Sequence, residues 1–262
     1  MENIKILVAT HKKYQMPADL CYLPIHVGKE GKSNIGYMGD NTGENISKKN
    51  PYFCELTGLY WGWKNLKCNY IGLSQYRRHF SNKSFVYRLF HKKFDCILNN
   101  SGVEKLLKGY DVILPKKRNY YIETLYSHYA HTHYPEHLDE TRKIIDEYYR
   151  DYINDFDIVM KRKSAHMFNM FIMKKDLADK YCEWLFSILS KLEDKIDVRQ
   201  YDSFNARLFG RISELLLDVW LEHNELKYKE IPYIHMEKIN WINKGIYFLK
   251  AKFINKKFEK SF

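Results

Sequence analysis

Short apolar runs alternate along this chain with stretches in which apolar residues recur every third or fourth position. Residues 4–9 form a compact apolar run and predict a strand in the middle of a sheet. Thr10, His11, Lys12 and Lys13 then stand at its carboxyl end, where open α/β sheets bind ligands. Residues 24–50 are rich in Gly, Asn, Lys and Asp and predict a long functional loop or a set of short turns. Asn50-Pro51 predicts a helix start, with Leu56, Leu59, Tyr60 and Trp63 following at helical spacing to about Asn65. Strands are expected over 70–73 and over 110–114, the second closed by Pro115 and the basic loop Lys116-Lys117-Arg118. Residues 136–150 have helical character, and 168–173 is an apolar strand. It feeds a helix over about 176–192 with Leu177, Tyr181, Trp184, Leu185, Ile188 and Leu189 as its buried stripe. A last helix over roughly 203–221 turns Phe204, Leu208, Ile212, Leu215, Leu216 and Val219 inward. Strands alternating with helices predict an α/β fold whose mostly parallel central sheet is flanked by helices.

The chain has 262 residues, enough for one substantial domain, taken here as 1–237, with an appended segment over 238–262. A formal charge of +11 favours anionic partners. Cys21, Cys54, Cys68, Cys96 and Cys182 lie far apart with no CxxC pair, which suggests a reducing compartment and neither a zinc site nor a disulfide framework. The amino terminus enters a strand at once, without the apolar segment of a signal peptide, and no run reaches the roughly 18 apolar residues needed to span a bilayer. A cytoplasmic protein lying on the inner face of the membrane is expected. The carboxyl-terminal segment supports that expectation: Trp241, Ile242, Ile246, Leu249, Phe253 and Phe258 stand among seven lysines, a basic amphipathic pattern suited to an anionic leaflet. No zinc-finger, RNP-like or helix-turn-helix signature points to nucleic acid.

The candidate chemistry centres on IGLSQYRRHF at 71–80, where a buried strand empties into Arg77 and Arg78. Two guanidiniums at a strand end suit phosphate oxygens, which an arginine fork grips bidentately; surface ion pairing is the plainer reading. His79 can donate to the same oxygens or stand as a simple surface histidine. Asp40, Asn41 and Asn45 lie in a loop dense in hydrogen-bonding groups, suited to sugar hydroxyls or to an ordinary polar turn. Arg207, Arg211, Glu214 and Asp218 recur every three or four residues and suit mutual ion pairs on one helix face; alternatively Asp202 or Glu214 deprotonates an attacking hydroxyl, and spacing does not choose between those two acids. His128, His131, His133 and His137 suggest a lid or acceptor-side loop more than a metal site. Asp155 and Asp157 have Asp-x-Asp spacing that leaves magnesium or manganese open.

Several strings then converge on one family. KILVATHKKY at 5–14, YLPIHVG at 22–28, the run from Gly36 to Asn65, YIGLSQYRRHF at 70–80, DVILPKK at 111–117, the run 166–189 and QYDSFNARLFGRISELLLDVWL at 200–221 resemble the DUF4422 group of bacterial capsule and exopolysaccharide glycosyltransferases. One departure stands out: Gln75 occupies a position where that family usually has histidine. The resemblance implies a GT-A-like, Rossmann-related fold. It also implies a UDP-sugar donor, with galactose in pyranose or furanose form as the family-based guess, and a lipid-linked or growing glycan as acceptor. On this reading Thr10, His11, Gln75, Tyr76 and His79 line the nucleotide-sugar site together with Asp40, Asn41 and Asn45. Arg77 and Arg78 hold the diphosphate, Asp202 or Glu214 serves as base, and a divalent cation, Mn or Mg, is an open participant. The competing reading is a nucleotide- or nucleic-acid-binding protein without transferase activity.

Overall fold

The computed structural model describes residues 2–237. The basic segment over 238–262, on which the membrane expectation rested, lies outside the described residues. In chain order the strands are β1 (Ile4–Thr10), β2 (Tyr22–His26), β3 (Met38–Gly39), β4 (Tyr70–Gln75), β5 (Arg78–Phe80), β6 (Val112–Pro115), β7 (Arg118–Asn119), β8 (Ser164–Ala165), β9 (Phe171–Lys174), β10 (Tyr228–Ile231) and β11 (Tyr233–His235). The α-helices are α1 (Asn50–Phe53), α2 (Leu56–Asn65), α3 (Phe85–Phe90), α4 (Asn100–Leu107), α5 (Leu125–Thr132), α6 (Glu136–Tyr148), α7 (Ile153–Lys161), α8 (Lys175–Lys195) and α9 (Leu208–His223).

The main sheet runs β10-β6-β9-β4-β1-β2-β3, with β5 turned back from β4 and paired to β11. Its core is parallel, β1 lying between β2 and β4, but β9 is antiparallel to both β4 and β6. The sheet is therefore mixed, where the alternation of elements had suggested a mostly parallel one. An apolar run reports burial on two faces and carries no information about strand direction.

Alternation along β1 sends Leu7 and Ala9 into one core and Ile6 and Val8 into the other. The larger core is closed by α2, α6, α7, α8 and α9; the smaller lies beneath α4 and carries Leu98, Val103 and Leu107. Gly62 lets α2 sit directly on β1, since a Cβ there would meet Leu7 Cδ1 at 2.5 Å. No helix among the described residues is long and apolar enough to cross a membrane.

Where sequence predicted a long loop or a set of short turns over 24–50, the chain forms turns punctuated by the end of β2, the two-residue β3 and the start of α1. Pro24 disguises β2, because proline argues against a sheet interior. β3 pairs only with Ile25 and His26, so Pro24 stands where β2 is still an edge. The strand expected from residue 168 begins at Phe171, because Phe168 and Asn169 take left-handed backbone at φ 77° and 54°. Residues 155–157 lie in α7, which fixes their side chains on a helix instead of a surface turn.

Candidate active site

The carboxyl ends of β1, β2, β4, β6 and β10 and the amino end of antiparallel β9 share one edge of the sheet. Loops leaving that edge are where an open α/β sheet gathers ligand groups. Two charged clusters meet there.

The first is cationic. Thr10 is buried, and its hydroxyl donates to the Lys12 carbonyl at 2.7 Å, closing the turn that follows β1. His11 is exposed beyond that turn, edge-on to Tyr76 with ring centroids 5.4 Å apart. Partial burial lowers the His11 pKa first, and the charges of Lys12, Arg77, Lys32 and Arg207 lower it further. Four cations thus act on this one imidazole. Lys12 also stands 4.9 Å above the buried Tyr76 ring.

The second cluster is a pair of carboxylates with a guanidinium beside it. Glu55, just before α2, accepts from Gln75 Nε2 at 3.0 Å and from Asn169 Nδ2 at 3.0 Å, both through Oε1. Glu214, on α9, lies close enough to Glu55 and Arg78 for both charges to act on it. Burial pushes its carboxyl up to about 7; neighbouring Glu55 adds to the rise, and Arg78 and Arg211 oppose it. Arg78 is buried, donates to Gln75 Oε1, and lies flat over Phe168 at 4.2 Å.

Sequence neighbours at the hairpin thus serve different clusters. Gln75 and Arg78 face each other across the β4–β5 turn, with Tyr76 and Arg77 at its tip. Arg78 turns inward to the acids, whereas Arg77 borders His11 and His235 in the cationic rim. Arg207 joins the two regions: its Nε donates to Cys54 Sγ at 3.1 Å, and Glu55 and Glu214 act on its charge.

Backbone strain concentrates at the same place. Cys54 (φ 54°), Phe168 and Asn169 are non-glycine residues in left-handed backbone, and all three surround the acid pair. Such conformations persist only where surroundings over-determine them, and they gather at functional sites. Asn169 shows how: its Nδ2 donates to Glu55 and to the Gly210 carbonyl at 2.9 Å, and its Oδ1 accepts from Ser213 at 2.7 Å.

Apart from His79, whose buried ring nitrogens lack hydrogen-bond partners among the described residues, the other residues singled out from sequence have their polar atoms engaged within the fold. Asp40 is fully buried and accepts from the Gly28 amide (2.7 Å), the Lys29 amide (3.0 Å) and the Ser47 hydroxyl. Gly28, at φ 61°, has the left-handed backbone that presents its N–H. Asn41 donates to Glu30 at 3.2 Å, and Asn45 bridges Gly43 and Ser47. Asn65, Trp61 and Tyr60 of α2 pin this loop down. His79 is buried with its pKa pushed down to about 4 by burial, so the ring is neutral and faces the core beside Tyr22.

Asp202 is an exposed cap: Oδ1 accepts from the Phe204 and Asn205 amides at 2.8 and 3.0 Å, and Oδ2 from Asn205 Nδ2 at 2.6 Å. Burial works to raise its pKa, but the Asn205 side chain and these amides outweigh it and hold the carboxyl below its ordinary value. Asp202→Ala should cost about 1 kcal/mol of stability, as lost caps do, and change turnover only a few-fold. Denaturant unfolding beside a turnover assay separates the two effects.

The histidine-rich stretch lies on α5 and at the start of α6. Glu123, buried, sits between His128 at 2.9 Å and His131 at 2.8 Å, while His133 reaches Asn205 at 3.2 Å and His137 reaches Tyr129 at 2.9 Å. Asp155 pairs with His223 and Asp157 with Arg142, at 2.8 and 2.7 Å. Among the described residues no three His, Cys, Asp or Glu side chains are grouped to hold a metal ion.

Glu55, Asn169 and Phe168 were not singled out as site residues from the sequence. Their one visible signal was a polar Asn inside the apolar string FNMFIM and an acid at the foot of an aromatic helix. The family described as a domain of unknown function, DUF4422, matches residues 5–225. The chain belongs to that family. It is also similar to the apo structure of WbbM, a bifunctional glycosyltransferase, at 31% identity and a TM-score of 0.81. The likeness covers 90% of this chain and 46% of WbbM, so the chain spans about half the length of that protein. No curated protein matches it.

Proposed function

We propose that this chain is a glycosyltransferase with a GT-A-like fold that moves a hexose from a UDP-sugar to a hydroxyl of a lipid-linked or growing bacterial surface glycan. The observation that carries the reading is the meeting of a cationic rim with a crowded carboxylate pair at one sheet edge. Matching about half of a bifunctional glycosyltransferase suits a single catalytic unit. Galactose, as pyranose or furanose, is the donor sugar carried by the family resemblance.

Arg77, Lys12, Lys32 and Arg207 would face the diphosphate, with Tyr76 and the turn after Thr10 beside the nucleotide. Fixed positive charge at that position stabilises the leaving diphosphate most as its negative charge grows. Glu214 would take the proton from the acceptor hydroxyl. The acceptor oxygen then bonds to the anomeric carbon, the bond from that carbon to the diphosphate oxygen breaks, and UDP leaves with the electron pair. A carboxyl with its pKa near the working pH suits this task, because it is ionised yet still basic. Arg78 and Gln75 would hold the acid pair in position. The reaction so drawn inverts the anomeric centre.

Arg77→Ala should weaken UDP-sugar binding by about tenfold to a hundredfold, the range for losing one charge-assisted contact to phosphate. Calorimetric titration with UDP, UDP-galactose and a short RNA tests this and the competing reading together. Selective binding of UDP compounds, weakened in the variant, supports the transferase. Binding of RNA alone, falling steeply with salt, would assign a nucleic-acid role. The anomeric configuration of the product, read by NMR, tests the inverting route.

A further inference from the structure

Helix α3 buries none of its residues, although its sequence is FVYRLF. Phe85 is 66% exposed, Val86 62%, Leu89 61% and Phe90 81%. At 100° per residue these four cover one continuous arc of roughly 140°, so the helix presents an apolar face to solvent. Arg88 and Tyr87 lie on the other side. Ser84 caps the helix by accepting from the Tyr87 amide at 3.2 Å, so this short element is ordered without a core beneath it.

The surroundings of that face are basic. From Asn82 to Phe94 there is no acid, while Lys83, Arg88, Lys92 and Lys93 are all present. Lys93 donates to the carbonyls of His235 (2.7 Å) and Met236 (3.0 Å), where the chain leaves toward the lysine-rich residues 238–262. The Met236 amide donates in turn to the Arg77 carbonyl at 2.8 Å. The end of the apolar helix's basic flank, residues 235–236 and the Arg77 turn are therefore joined by three hydrogen bonds.

We infer that α3 and the lysines flanking it dock on an anionic phospholipid bilayer, with Phe85, Val86, Leu89 and Phe90 entering the headgroup region. The charge decides the occupant. A second copy, carrying the same net +11, would bring cations against cations, and so would the lysine-rich carboxyl-terminal residues. An anionic leaflet satisfies the lysines while it buries the aromatic rings. Docking there would hold the Arg77 turn at the lipid surface, where a lipid-linked acceptor presents its sugar. That purpose rests on the transferase reading; the docking itself does not, and its test needs no turnover.

The experiment is co-sedimentation of the full chain with vesicles of phosphatidylcholine alone or with phosphatidylserine added. The full chain should pellet with the serine-containing vesicles. Phe85→Ser/Phe90→Ser should lower the partition coefficient by at least about tenfold, since each ring contributes apolar burial. Lys92→Glu should lower it by about fivefold and remove part of the salt dependence. Melting temperatures should be unchanged, because the side chains contact no core. Partition unchanged in both variants would overturn the assignment to α3 and leave the carboxyl-terminal residues as the anchor. Failure of the full chain to pellet with either vesicle would overturn the docking altogether. Concentration-dependent dimers abolished by the double variant, without vesicle binding, would assign the face to a second copy instead.

Discussion

Glu214→Gln should lower sugar transfer by about a hundredfold to ten-thousandfold, the range for losing a general base, while the protein stays folded. The amide keeps the shape of the side chain, but it cannot take a proton. The pH profile gives a sharper readout. With the Glu214 carboxyl raised to about 7, wild-type turnover should fall as pH drops through 7, because the protonated form is no base. Stability should move the opposite way. A carboxyl whose folded pKa lies above its unfolded value stabilises the fold fully below about pH 4.5, and that contribution is lost as pH rises toward 7. Ionised Glu214 in this buried place beside Glu55 therefore carries a penalty of roughly 3 kcal/mol. The difference in melting temperature between wild type and Glu214→Gln should widen in favour of the variant from pH 4.5 to 7. Full turnover in the variant at pH 7.5 would remove Glu214 from the chemistry. A flat difference in melting temperature would remove the raised pKa.

His166→Ala should cost about 3–5 kcal/mol of folding stability, the range for leaving a buried carboxylate without its hydrogen-bonded partner. His166 is 1% exposed, with Nδ1 against Asp218 Oδ1 and Nε2 at 3.1 Å from Glu230 Oε1. The His166 backbone amide also donates to Asp218 Oδ2 at 2.9 Å. Asp218 is itself 3% exposed, so removing the imidazole leaves its carboxylate buried beside one amide. The triad joins the residue that follows β8 to α9 and β10, shortly before the strained pair Phe168 and Asn169. His166→Leu/Asp218→Leu should recover most of the loss, because an apolar pair leaves no charge to desolvate. Urea unfolding of the two variants checks this; a single-variant loss below about 1 kcal/mol, within the range of an exposed pair, would show that the triad holds little of the fold together.

Legibility differed by element. α8 and α9 were readable because a helix buried on one side writes its contacts into the sequence at intervals of three and four. β1 and β4 were readable as apolar runs ending at a Thr and a Gln-Tyr-Arg-Arg string. β2 was hidden by Pro24, and the left-handed entry to β9 was hidden because neither Phe nor Asn announces positive φ as glycine does. α3 escaped notice for a different reason: six residues with no buried stripe have no core period to read.

The order of local preferences along the chain was enough to establish an α/β protein, to locate the arginine hairpin at a strand end, and to suggest the family. Those properties are one-dimensional: hydrophobic period, turn residues and short strings are all visible without contacts. Which carboxylate faces which arginine was settled only by packing. Asp202 and Glu214 are 12 positions apart and similar on paper, yet one is an exposed cap held by amides and the other is crowded against Glu55. Likewise Arg77 and Arg78 are adjacent in sequence, and a two-residue turn sends one outward and the other inward. Desolvation and charge proximity depend on which distant residues the fold brings together, and no spacing rule encodes them.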